Sequence, residues 1–332
     1  FTREYGEPNP SFTASFDNLA SFDTASDIAG LSFSTPADQA SIPLVYGITP
    51  SVGSNPNYDI TLEQGLLRVT KAPLSLRFND VSRVYGNGNG LALSQVTVDT
   101  ADGFKLSDDL SAVTLSNFAT TAIRTSDIGG YPITQDISSQ KYDVSIEQPA
   151  NLIVTKRPIT AFLDLSAAER TRIYGEAPLD IGGDLVVGNL ANGDPADAVL
   201  QVTDPTFEGT PIGSYAFQAS VIDPNYELQS FANSDFVIQQ KRVDLRFEDV
   251  AGFFGETEPD FFVYLDTDFL VAGDTPQEVL SAPTAGTDAL TDVGRYPIQT
   301  SSINSNYGVD SVTGFYDIQA RPLYVYLEDV SR

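Results

Sequence analysis

Three short markers recur along the chain in the same order, and this internal repeat constrains the fold more than any other feature of the sequence. The first marker is an aromatic residue followed by glycine, which begins at positions 5, 85, 174 and 254. The second is a pair of tyrosines at a nearly constant separation. The third is a basic junction, usually closed by proline, which begins at positions 71, 156, 241 and 320. Because the three registers agree along the whole chain, they predict four small modules in tandem.

The markers occupy corresponding places in each predicted module. The aromatic-glycine pairs are Tyr5-Gly6, Tyr85-Gly86, Tyr174-Gly175 and Phe254-Gly255. The tyrosine pairs are Tyr46 and Tyr58, Tyr131 and Tyr142, Tyr215 and Tyr226, and Tyr296 and Tyr307. The junctions are Lys71-Ala72-Pro73, Lys156-Arg157-Pro158, Lys241-Arg242-Val243 and Ala320-Arg321-Pro322. With the junctions as boundaries, the modules are 1–71 (module 1), 72–156 (module 2), 157–241 (module 3) and 242–320 (module 4).

Module 1 is incomplete by this count. In module 2 a stretch long enough for a strand separates Lys71 from Tyr85, whereas Tyr5 is preceded by Phe1 to Glu4 alone. The missing piece matches the end of the chain, because Leu323 to Arg332 corresponds to Leu74 to Arg83. We therefore predict that module 1 lacks its first strand and that residues 321–332 are the first strand of a following module.

Three explanations of this phasing stay open. The chain is a continuous array cut one strand out of phase, or the modules are phased from the aromatic-glycine pair. In the third, the final strand of one chain completes the first module of the next and makes a head-to-tail fibre. Of the three, the sequence favours the simple cut.

Within each module the hydrophobic pattern is that of strands. After each junction apolar residues alternate with polar ones, as in Leu74, Leu76 and Phe78, which is typical of a half-buried strand. A second apolar stretch precedes each junction, so one module's last strand runs almost directly into the next module's first. The prolines Pro73, Pro158 and Pro322 fix φ and remove a backbone donor, which predicts short, semi-rigid linkers. In modules 3 and 4, Asp194 and Asp274 precede an early-turn proline, which predicts a short helix with an aspartate N-cap.

The first tyrosine of each pair points to an immunoglobulin-like sandwich. The run from Asp127 to Tyr131 resembles the tyrosine corner of such domains, in which a conserved tyrosine follows an Asp-x-Gly sequence. The fold class predicted is therefore predominantly β: tandem small β-sandwich modules, each with one short helix, arranged as an elongated rod. The alternative is a β-grasp-like mixed sheet over the short helix.

Together the motifs resemble a known family. Tyr-Gly-Glu and a nearby proline open modules 1 and 3, a Gly-Asp turn follows at Gly193-Asp194 and Gly273-Asp274, and each module then runs through its tyrosine pair to the basic junction. This order is similar to the MBG domains of the Tyr-Gly-x type, found as long arrays in bacterial surface adhesins, often of the filamentous haemagglutinin or two-partner-secretion kind. The resemblance implies an extracellular, cell-surface or secreted stalk, with no enzymatic role for the module.

Composition excludes many other functions. The 332 residues include no His, Cys, Met or Trp, and this rules out Ser-His or Cys-His nucleophiles, thiolate or imidazole metal sites and disulfides. The net charge of -27 makes nucleic acid and anionic membranes poor partners, and no apolar run is long enough to span a bilayer. The remaining enzyme class is a glycosidase with two carboxylates, which a fourfold repeat disfavours because an active site is built once. No catalytic residue and no cofactor site is predicted.

Acidic clusters leave calcium as a weak possibility. The candidate ligands are Asp102, Asp108, Asp109, Asp266 and Asp268. None has the Asp-x-Asp-x-Asp-Gly spacing of a calcium loop with its closing Glu, so solvated turns and helix caps are the favoured interpretation.

The sequence therefore predicts a stalk of a large bacterial surface adhesin that projects a binding domain for attachment and biofilm formation. A strand of about 10 residues spans roughly 33 Å, so four modules give a rod on the order of 130–160 Å. The expected partners are adjacent repeats and, through a distal domain, surface glycans or other cells. The alternatives are a carbohydrate- or surface-binding array and the head-to-tail fibre.

Overall fold

The computed structural model describes residues 1–181, 183–265, 270–271 and 273–328. The chain divides into two compact units, Phe1–Arg157 and Pro158–Arg332, of which the first contains modules 1 and 2 and the second modules 3 and 4. Among the described residues, no helix combines the length and the apolar character that a membrane crossing needs.

Extended segments dominate every module. Module 1 has β1 (Thr2–Glu4), β2 (Ser32–Ser34), β3 (Val45–Ser51) and β4 (Gly65–Thr70), with a 3-10 turn at Ala25–Asp27. Module 2 has β5 (Ala72–Phe78), β6 (Val81–Val84), α1 (Gly90–Leu93), β7 (Val98–Asp102), a 3-10 turn at Leu110–Ala112, β8 (Thr114–Thr120), β9 (Gly129–Ser138), β10 (Tyr142–Gln148) and β11 (Asn151–Thr155). Module 3 has β12 (Arg157–Leu163), β13 (Thr171–Ile173), β14 (Leu185–Gly188), α2 (Ala196–Val199), β15 (Leu200–Thr203), β16 (Gly213–Ala216), β17 (Gln218–Val221), β18 (Tyr226–Ala232) and β19 (Asp235–Gln239). Module 4 has β20 (Lys241–Phe247), β21 (Val250–Phe253), β22 (Val263–Tyr264), α3 (Pro276–Val279), β23 (Gly294–Pro297), β24 (Tyr307–Thr313) and β25 (Phe315–Gln319).

Module 2 shows the complete arrangement, which is two sheets with the orders β10-β5-β7 and β6-β11-β9-β8. The first strand of the module breaks into β5 and β6, and the last breaks into β10 and β11. Each half pairs in parallel with its counterpart, β5 with β10 and β6 with β11, so the two strands stay together as they pass from one sheet to the other. Modules 3 and 4 repeat the pattern in the orders β14-β12-β18, β13-β19-β16, β22-β20-β24 and β21-β25-β23. The prediction of a predominantly β chain of tandem sandwich modules is confirmed.

An aspartate marks the point where these strands change sheet. In module 2 the Asp80 carboxylate accepts a hydrogen bond from the Asn151 backbone N–H at 2.7 Å. In module 4 the Asp249 carboxylate accepts one from the Phe315 N–H at 2.9 Å. The carboxylate therefore satisfies a backbone donor that the ladder leaves free where it breaks.

The alternating pattern after each junction buries one face of the first strand. Leu74, Leu76 and Phe78 of β5 lie in the core of the first unit together with Leu152 of the last strand, and Val154 of that strand is also buried. The residues between them on β5 face outward, as the period of two requires. The first and last strands thus supply much of the core of their module.

Module 1 contains one half of this arrangement. Its sheet has the order β1-β4-β3-β2, with β1 parallel to β4, which matches the sheet β6-β11-β9-β8 of module 2. Within residues 1–71, all of which the structure describes, no strand takes the place of β5, β7 or β10.

The short helices α2 and α3 lie where the sequence predicted them, but the predicted N-cap was wrong. The N-cap residues are Pro195 and Thr275, one position after the aspartates, and Thr275 forms a capping box with Glu278. The carboxylates of Asp194 and Asp274 are not free to cap, because each accepts a hydrogen bond from a tyrosine hydroxyl.

Two adjacent leucines of β4 lie on opposite faces of the strand, and their substitution tests which face contributes to the stability of module 1. Leu67 is completely buried, whereas Leu66 is 62% exposed. We expect Leu67→Ala to lower the free energy of unfolding by about 2–5 kcal/mol, because it leaves a cavity in the core. Leu66→Ala changes it by about 0.5 kcal/mol or less. Urea unfolding followed by circular dichroism measures both, and equal losses for the two variants would contradict this burial pattern.

Candidate functional site: the tyrosine–aspartate joints

The aromatic-glycine marker follows the first strand of each module and stands beside the last residue of that module's last strand. The backbone N–H of the aromatic residue donates to that residue's carbonyl at 2.9 Å in every module. The pairs are Tyr5 with Thr70, Tyr85 with Thr155, Tyr174 with Gln239 and Phe254 with Gln319. Because parallel strands end at the same edge of a sheet, the aromatic side chain lies at the end of the module where the next module begins.

The glycine after each aromatic residue has a positive φ. The values are +85° at Gly6, +81° at Gly86, +90° at Gly175 and +90° at Gly255. At Gly6 and Gly175 close packing adds a second requirement, since a Cβ would collide with the side chains of Lys105 and Val271 respectively. Lys105 belongs to module 2 and Val271 to module 4, so these glycines permit close approach between successive modules.

The first tyrosine of each pair bonds within its own loop. In all four modules its hydroxyl donates to the backbone carbonyl four residues earlier. The pairs are Tyr46 to Ile42 at 2.8 Å, Tyr131 to Asp127 at 3.0 Å, Tyr215 to Pro211 at 2.9 Å and Tyr296 to Asp292 at 2.9 Å. Each of these tyrosines therefore fixes the entry into the strand that contains or follows it.

The second tyrosine of each pair bonds a recurring aspartate. Its hydroxyl donates to the aspartate carboxylate and accepts a hydrogen bond from the backbone N–H three residues before that aspartate. The carboxylate pairs are Tyr58–Asp23 (2.5 Å), Tyr142–Asp108 (2.8 Å), Tyr226–Asp194 (2.5 Å) and Tyr307–Asp274 (2.7 Å). The backbone donors are Ala20 (3.2 Å), Lys105 (2.9 Å), Ala191 (3.1 Å) and Val271 (2.8 Å). The aspartate loop is thereby tied to the start of β10, β18 and β24 in modules 2 to 4, and to the segment ahead of β4 in module 1.

In the first unit this aspartate also accepts a hydrogen bond from a tyrosine of the preceding module. The hydroxyl of Tyr5 in module 1 donates to Asp108 Oδ2 of module 2 at 2.9 Å, beside the Tyr142 hydroxyl. The two tyrosine rings meet edge to face with centroids 5.7 Å apart. Lys141 Nζ lies 2.8 Å from the other carboxylate oxygen and 5.1 Å from the centre of the Tyr5 ring. We call the cluster Tyr5, Asp108, Lys141 and Tyr142 joint 1.

The second unit has the equivalent cluster, joint 2, formed by Tyr174, Asp274 and Tyr307. The Tyr174 hydroxyl of module 3 donates to Asp274 Oδ2 of module 4 at 3.1 Å, and Tyr307 donates to the same oxygen at 2.7 Å. The rings again meet edge to face, with centroids 5.4 Å apart. Asn306 stands where joint 1 has Lys141, and its side-chain amide brings no charge to the cluster. The two joints therefore share one geometry but differ in charge.

Burial and hydrogen bonding shift the protonation equilibria of joint 1. Burial alone would raise the pKa of Asp108, but the hydrogen bonds from Lys141, Tyr142 and Tyr5 outweigh it and hold the pKa below its usual 3.8. Burial and the neighbouring Asp108 raise the pKa of Tyr142 to about 12. The hydrogen bond to Asp108 raises the pKa of Lys141 well above its ordinary value. At neutral pH Asp108 is therefore a carboxylate, Lys141 an ammonium group and Tyr142 a neutral phenol.

In joint 2 the tyrosines are shifted in the same direction. Burial, followed by the hydrogen bond to Asp274, raises the pKa of Tyr174. Burial and Asp274 likewise raise the pKa of Tyr307 well above its ordinary value. Both phenols thus stay protonated as donors to the shared carboxylate.

Three of the five calcium candidates are described, and each has a different setting. Asp102 lies at the end of β7 opposite Ser75 of β5. Asp108 belongs to joint 1, and the Asp109 carboxylate accepts a hydrogen bond from the Ser111 N–H at the start of a 3-10 turn. Asp266 and Asp268 lie outside the described residues. Within the part of the chain that the structure describes, no three acidic side chains are grouped as a metal ion would require.

The junction prolines also differ in setting. Pro73 lies in β5 opposite Asp143 of β10, and Pro158 lies in β12. Pro322 belongs to a C-terminal segment, residues 320–328, that forms no strand with the described residues.

Sequence reasoning missed a buried arginine two residues before the aromatic-glycine tyrosine. Arg3, Arg83 and Arg172 are each at most 7% exposed. The guanidinium of each arginine donates hydrogen bonds to loop oxygens of its own module. Arg83 donates to Asn89 Oδ1 at 2.7 Å and to the Ile123 carbonyl at 2.5 Å, and Arg3 bonds Asn9 and the Asp38 carbonyl in the same way. The signal was available, since Arg-x-Tyr-Gly occurs in the first three modules.

Module 4 departs from the motif at both positions. Gly252 and Phe254 stand where the other modules have arginine and tyrosine. A Cβ at Gly252 would collide with the Tyr316 hydroxyl, so the buried Tyr316 occupies the space beside it. Phe254 carries no hydroxyl and therefore cannot donate to a carboxylate of the kind that receives Tyr5 and Tyr174.

Comparison with known proteins identifies the modules of the first unit. The family of MBG domains, YGX type, matches residues 2–68 and 74–153, in tandem. Modules 1 and 2 therefore match this family, in agreement with the resemblance in the sequence. MBG domains are structural, adhesin-type repeats of secreted surface proteins. No curated protein matches the chain.

Two solved structures are similar at low level. The TIE protein of Bacillus anthracis aligns at 6% identity and a TM-score of 0.24, over 92% of this chain and 66% of that one, so the chain spans slightly less than two thirds of its length. SGBP-B of the Bacteroides ovatus mixed-linkage glucan utilization locus, solved in complex with a mixed-linkage heptasaccharide, aligns at 11% identity and a TM-score of 0.16, over 75% of this chain and 71% of that one. These TM-scores are too low to relate the folds.

Removing one hydroxyl tests joint 1 without changing ring packing. We expect Tyr5→Phe to lower the free energy of unfolding of the first unit by about 1–2 kcal/mol, because Asp108 loses a charge-assisted hydrogen bond. In an Asp108→Asn background the same substitution has a smaller effect, so a double-mutant cycle by urea unfolding gives a positive coupling energy.

The matched control is Tyr46→Phe, which removes a hydroxyl bonded to the Ile42 carbonyl within module 1. Its effect is expected to be independent of Asp108→Asn. Equal coupling of Tyr5 and Tyr46 to position 108 would show that Asp108 acts on module stability in general and not through the joint.

Alkaline pH tests the raised pKa of Tyr142. A group whose folded pKa is raised contributes stability that is complete below its unfolded pKa and is lost as the pH rises through the folded value. The urea concentration at the midpoint of unfolding is therefore expected to decrease as the pH rises from 10 to about 12. The absorbance of ionised Tyr142 is expected to appear at higher pH in the native chain than in the unfolded chain. The variant Tyr142→Phe, compared with native chain over the same range, shows a shallower fall. An unchanged pH dependence in this variant would contradict the assignment.

Proposed function

We propose that the chain is a stalk segment of a bacterial surface adhesin, in which the tyrosine–aspartate joints hold successive MBG modules in a fixed orientation. The observation that supports this most directly is the recurrence of one joint, Tyr5 on Asp108 and Tyr174 on Asp274, between different pairs of modules. A contact that serves one binding site has no reason to recur at a second boundary.

The chemistry of the joint suits a mechanical role. An ionised carboxylate that accepts two phenol hydroxyls is directional, because both donors must point at one oxygen. The two tyrosine rings of each joint belong to different modules and pack edge to face, so a rotation between the modules would disrupt this contact. Lys105 adds an ion pair with Glu7 at 3.0 Å across the same boundary.

The acidic composition is consistent with a projecting segment. With a net charge of -27, distributed like charges oppose folding back on itself and lateral association between neighbouring stalks. This repulsion is screened within about 10 Å at 0.1 M salt, so it acts locally between adjacent surfaces. Adhesion, and with it biofilm formation, would then reside in another domain of the parent protein, and the chain itself would have no catalytic activity.

Small-angle X-ray scattering tests the proposal. We expect a maximum dimension on the order of 130 Å or more for the native chain, the length of four strand-length modules in line. The double variant Asp108→Asn, Asp274→Asn keeps folded modules by circular dichroism but gives a broader distribution of distances, because both joints lose their acceptor. A compact native particle would contradict the stalk.

A glycan array distinguishes the stalk from an adhesive array. The native chain is expected to bind no glycan above background, and a lectin on the same array serves as the positive control. Binding that is retained in the Asp108→Asn, Asp274→Asn variant would assign adhesion to the modules themselves and remove the basis for the stalk.

A further inference from the structure

The residue before the second tyrosine is where the two joints differ most. That residue is Lys141 in joint 1 and Asn306 in joint 2. Its backbone is held in the same way in both joints, because its carbonyl accepts a hydrogen bond from the first residue of β5 or β20. The donors are the N–H of Ala72 at 3.1 Å and the N–H of Lys241 at 3.0 Å. The two side chains therefore leave equivalent positions on the backbone, and they contact different groups of the preceding module.

In joint 2 the side chain of Asn306 binds a backbone group of module 3. Its Oδ1 atom accepts a hydrogen bond from the Ile212 N–H at 2.9 Å. Ile212 lies three residues before Tyr215, in the turn that the Tyr215 hydroxyl closes by donating to the Pro211 carbonyl. Ile212 is half-buried, and a backbone N–H in such a place needs an acceptor. Module 4 therefore supplies, through Asn306, the acceptor that module 3 needs.

In joint 1 the corresponding backbone position of module 1 is not a donor. Three residues before Tyr46 the sequence has Pro43, whose ring nitrogen carries no hydrogen. Module 2 has a lysine in place of the asparagine, and the ammonium group of a lysine donates hydrogen bonds but cannot accept them. Lys141 directs this group to Asp108 Oδ1 at 2.8 Å and lies 5.1 Å from the centre of the Tyr5 ring. Proline thus occurs with lysine, and isoleucine occurs with asparagine.

A second pair of positions changes together with the first. Lys105 and Val271 correspond, because the backbone N–H of each donates to the hydroxyl of the second tyrosine in its module. Lys105 forms an ion pair with Glu7 of module 1 at 3.0 Å. The counterpart of Glu7 in module 3 is Glu176, whose carboxylate accepts a hydrogen bond from the Ile173 N–H of its own module at 2.7 Å. The uncharged Val271 therefore follows a module whose glutamate is already engaged.

A third position changes in the same sense at the end of the preceding module. Lys71 Nζ donates to the Ser139 carbonyl of module 2 at 2.6 Å, and Gln240 Nε2 donates to the Ser305 carbonyl of module 4 at 3.0 Å. Joint 1 thus has lysine at three positions where joint 2 has asparagine, valine and glutamine. Such a concerted set of differences is expected of two contacts that are fitted to different neighbours.

We propose that each joint is selective for the module that precedes it, with residues 141 and 306 as the specificity-determining positions. Lys141 fits a preceding module that has proline three residues before its first tyrosine, and Asn306 fits one that has an N–H there. A mismatch is costly in either direction. Lysine beside the N–H leaves two donors and no acceptor, whereas asparagine beside proline leaves an acceptor without a donor and Asp108 without its cation.

This selectivity fixes which modules can be neighbours along the stalk. It rests on the proposed function, because it names the partner that each joint of the stalk accepts. The tyrosine–aspartate contact cannot make the distinction, since Tyr5 and Tyr174 donate to an aspartate in the same geometry. That contact is common to the joints, and the residue before the second tyrosine distinguishes them.

Native-state hydrogen exchange of the 332-residue chain, measured by mass spectrometry, tests the proposal. Peptides that cover β20 report opening of the second unit, and peptides that cover β5 report opening of the first. We expect Asn306→Lys to speed exchange in β20 about 10-fold, because the Ile212 N–H loses its acceptor inside a half-buried contact. Ile212→Pro alone also speeds this exchange, because the Asn306 oxygen then loses its donor.

The double variant copies the pairing of joint 1. In the Asn306→Lys background, Ile212→Pro removes the N–H that lacks an acceptor and is expected to slow exchange in β20 about 5-fold. The same substitution thus has opposite effects in the two backgrounds. The matched control is Ile212→Ala, which shortens the same side chain but keeps the N–H, and which speeds exchange in both backgrounds. In all of these variants β5 exchanges as in the native chain.

A reciprocal pair of substitutions in joint 1 gives an independent test. Lys141→Asn speeds exchange in β5, and the addition of Pro43→Ala is expected to slow it, because the new N–H gives the asparagine oxygen a donor. Pro43→Ala alone speeds exchange, since it places an N–H beside a lysine and also increases the entropy of the unfolded chain. This pair decides the question by itself if Asn306→Lys prevents module 4 from folding.

A reversal of sign in the two joints supports the proposal. The proposal is overturned if Ile212→Pro fails to slow exchange in the Asn306→Lys background, if Ile212→Ala slows it equally, or if β5 responds to the joint 2 substitutions. It is also overturned if Pro43→Ala fails to slow exchange in the Lys141→Asn background. The scattering test of the stalk is separate. An elongated native chain without the reversal overturns the selectivity alone, and a compact native chain with the reversal overturns the stalk alone.

Discussion

The parallel pairing of first and last strands is the interaction on which the rest of this structure depends. The residues between these two strands form the remainder of the module, so this one ladder closes the domain. It also fixes where the markers lie. Since Tyr5 bonds Thr70 and Tyr174 bonds Gln239 at the ends of the paired strands, each tyrosine stands beside the residue that enters the next module. A β-ladder that stabilises one module therefore also positions its contact with the next.

The joints show how a strongly acidic chain uses a carboxylate for packing. Taking a carboxylate partly out of water is costly unless its charge is satisfied, and the half-buried Asp108 accepts hydrogen bonds from two phenols and an ammonium group. In joint 2 two phenols donate to Asp274 in the same geometry, with Asn306 in place of the lysine. The hydroxyls are therefore the constant element and the cation the variable one. A phenol donates a hydrogen bond to the carboxylate without adding negative charge to a strongly acidic chain. This property favours tyrosine as the repeated residue at this boundary.

Much of the fold could be predicted from sequence, and the limits have physical causes. The alternation of Leu74, Leu76 and Phe78 predicts a strand and its buried face, because side-chain direction has a period of two. It does not predict that β5 pairs in parallel with β10, since partner choice depends on residues at the far end of the module. Asp108 drew attention as a possible calcium ligand by residue type alone. What it binds depends on Tyr5, a residue of another module, and no local pattern contains that information. Arg83 was missed because arginine is usually exposed, although its repeated place before Tyr85 was visible in the sequence.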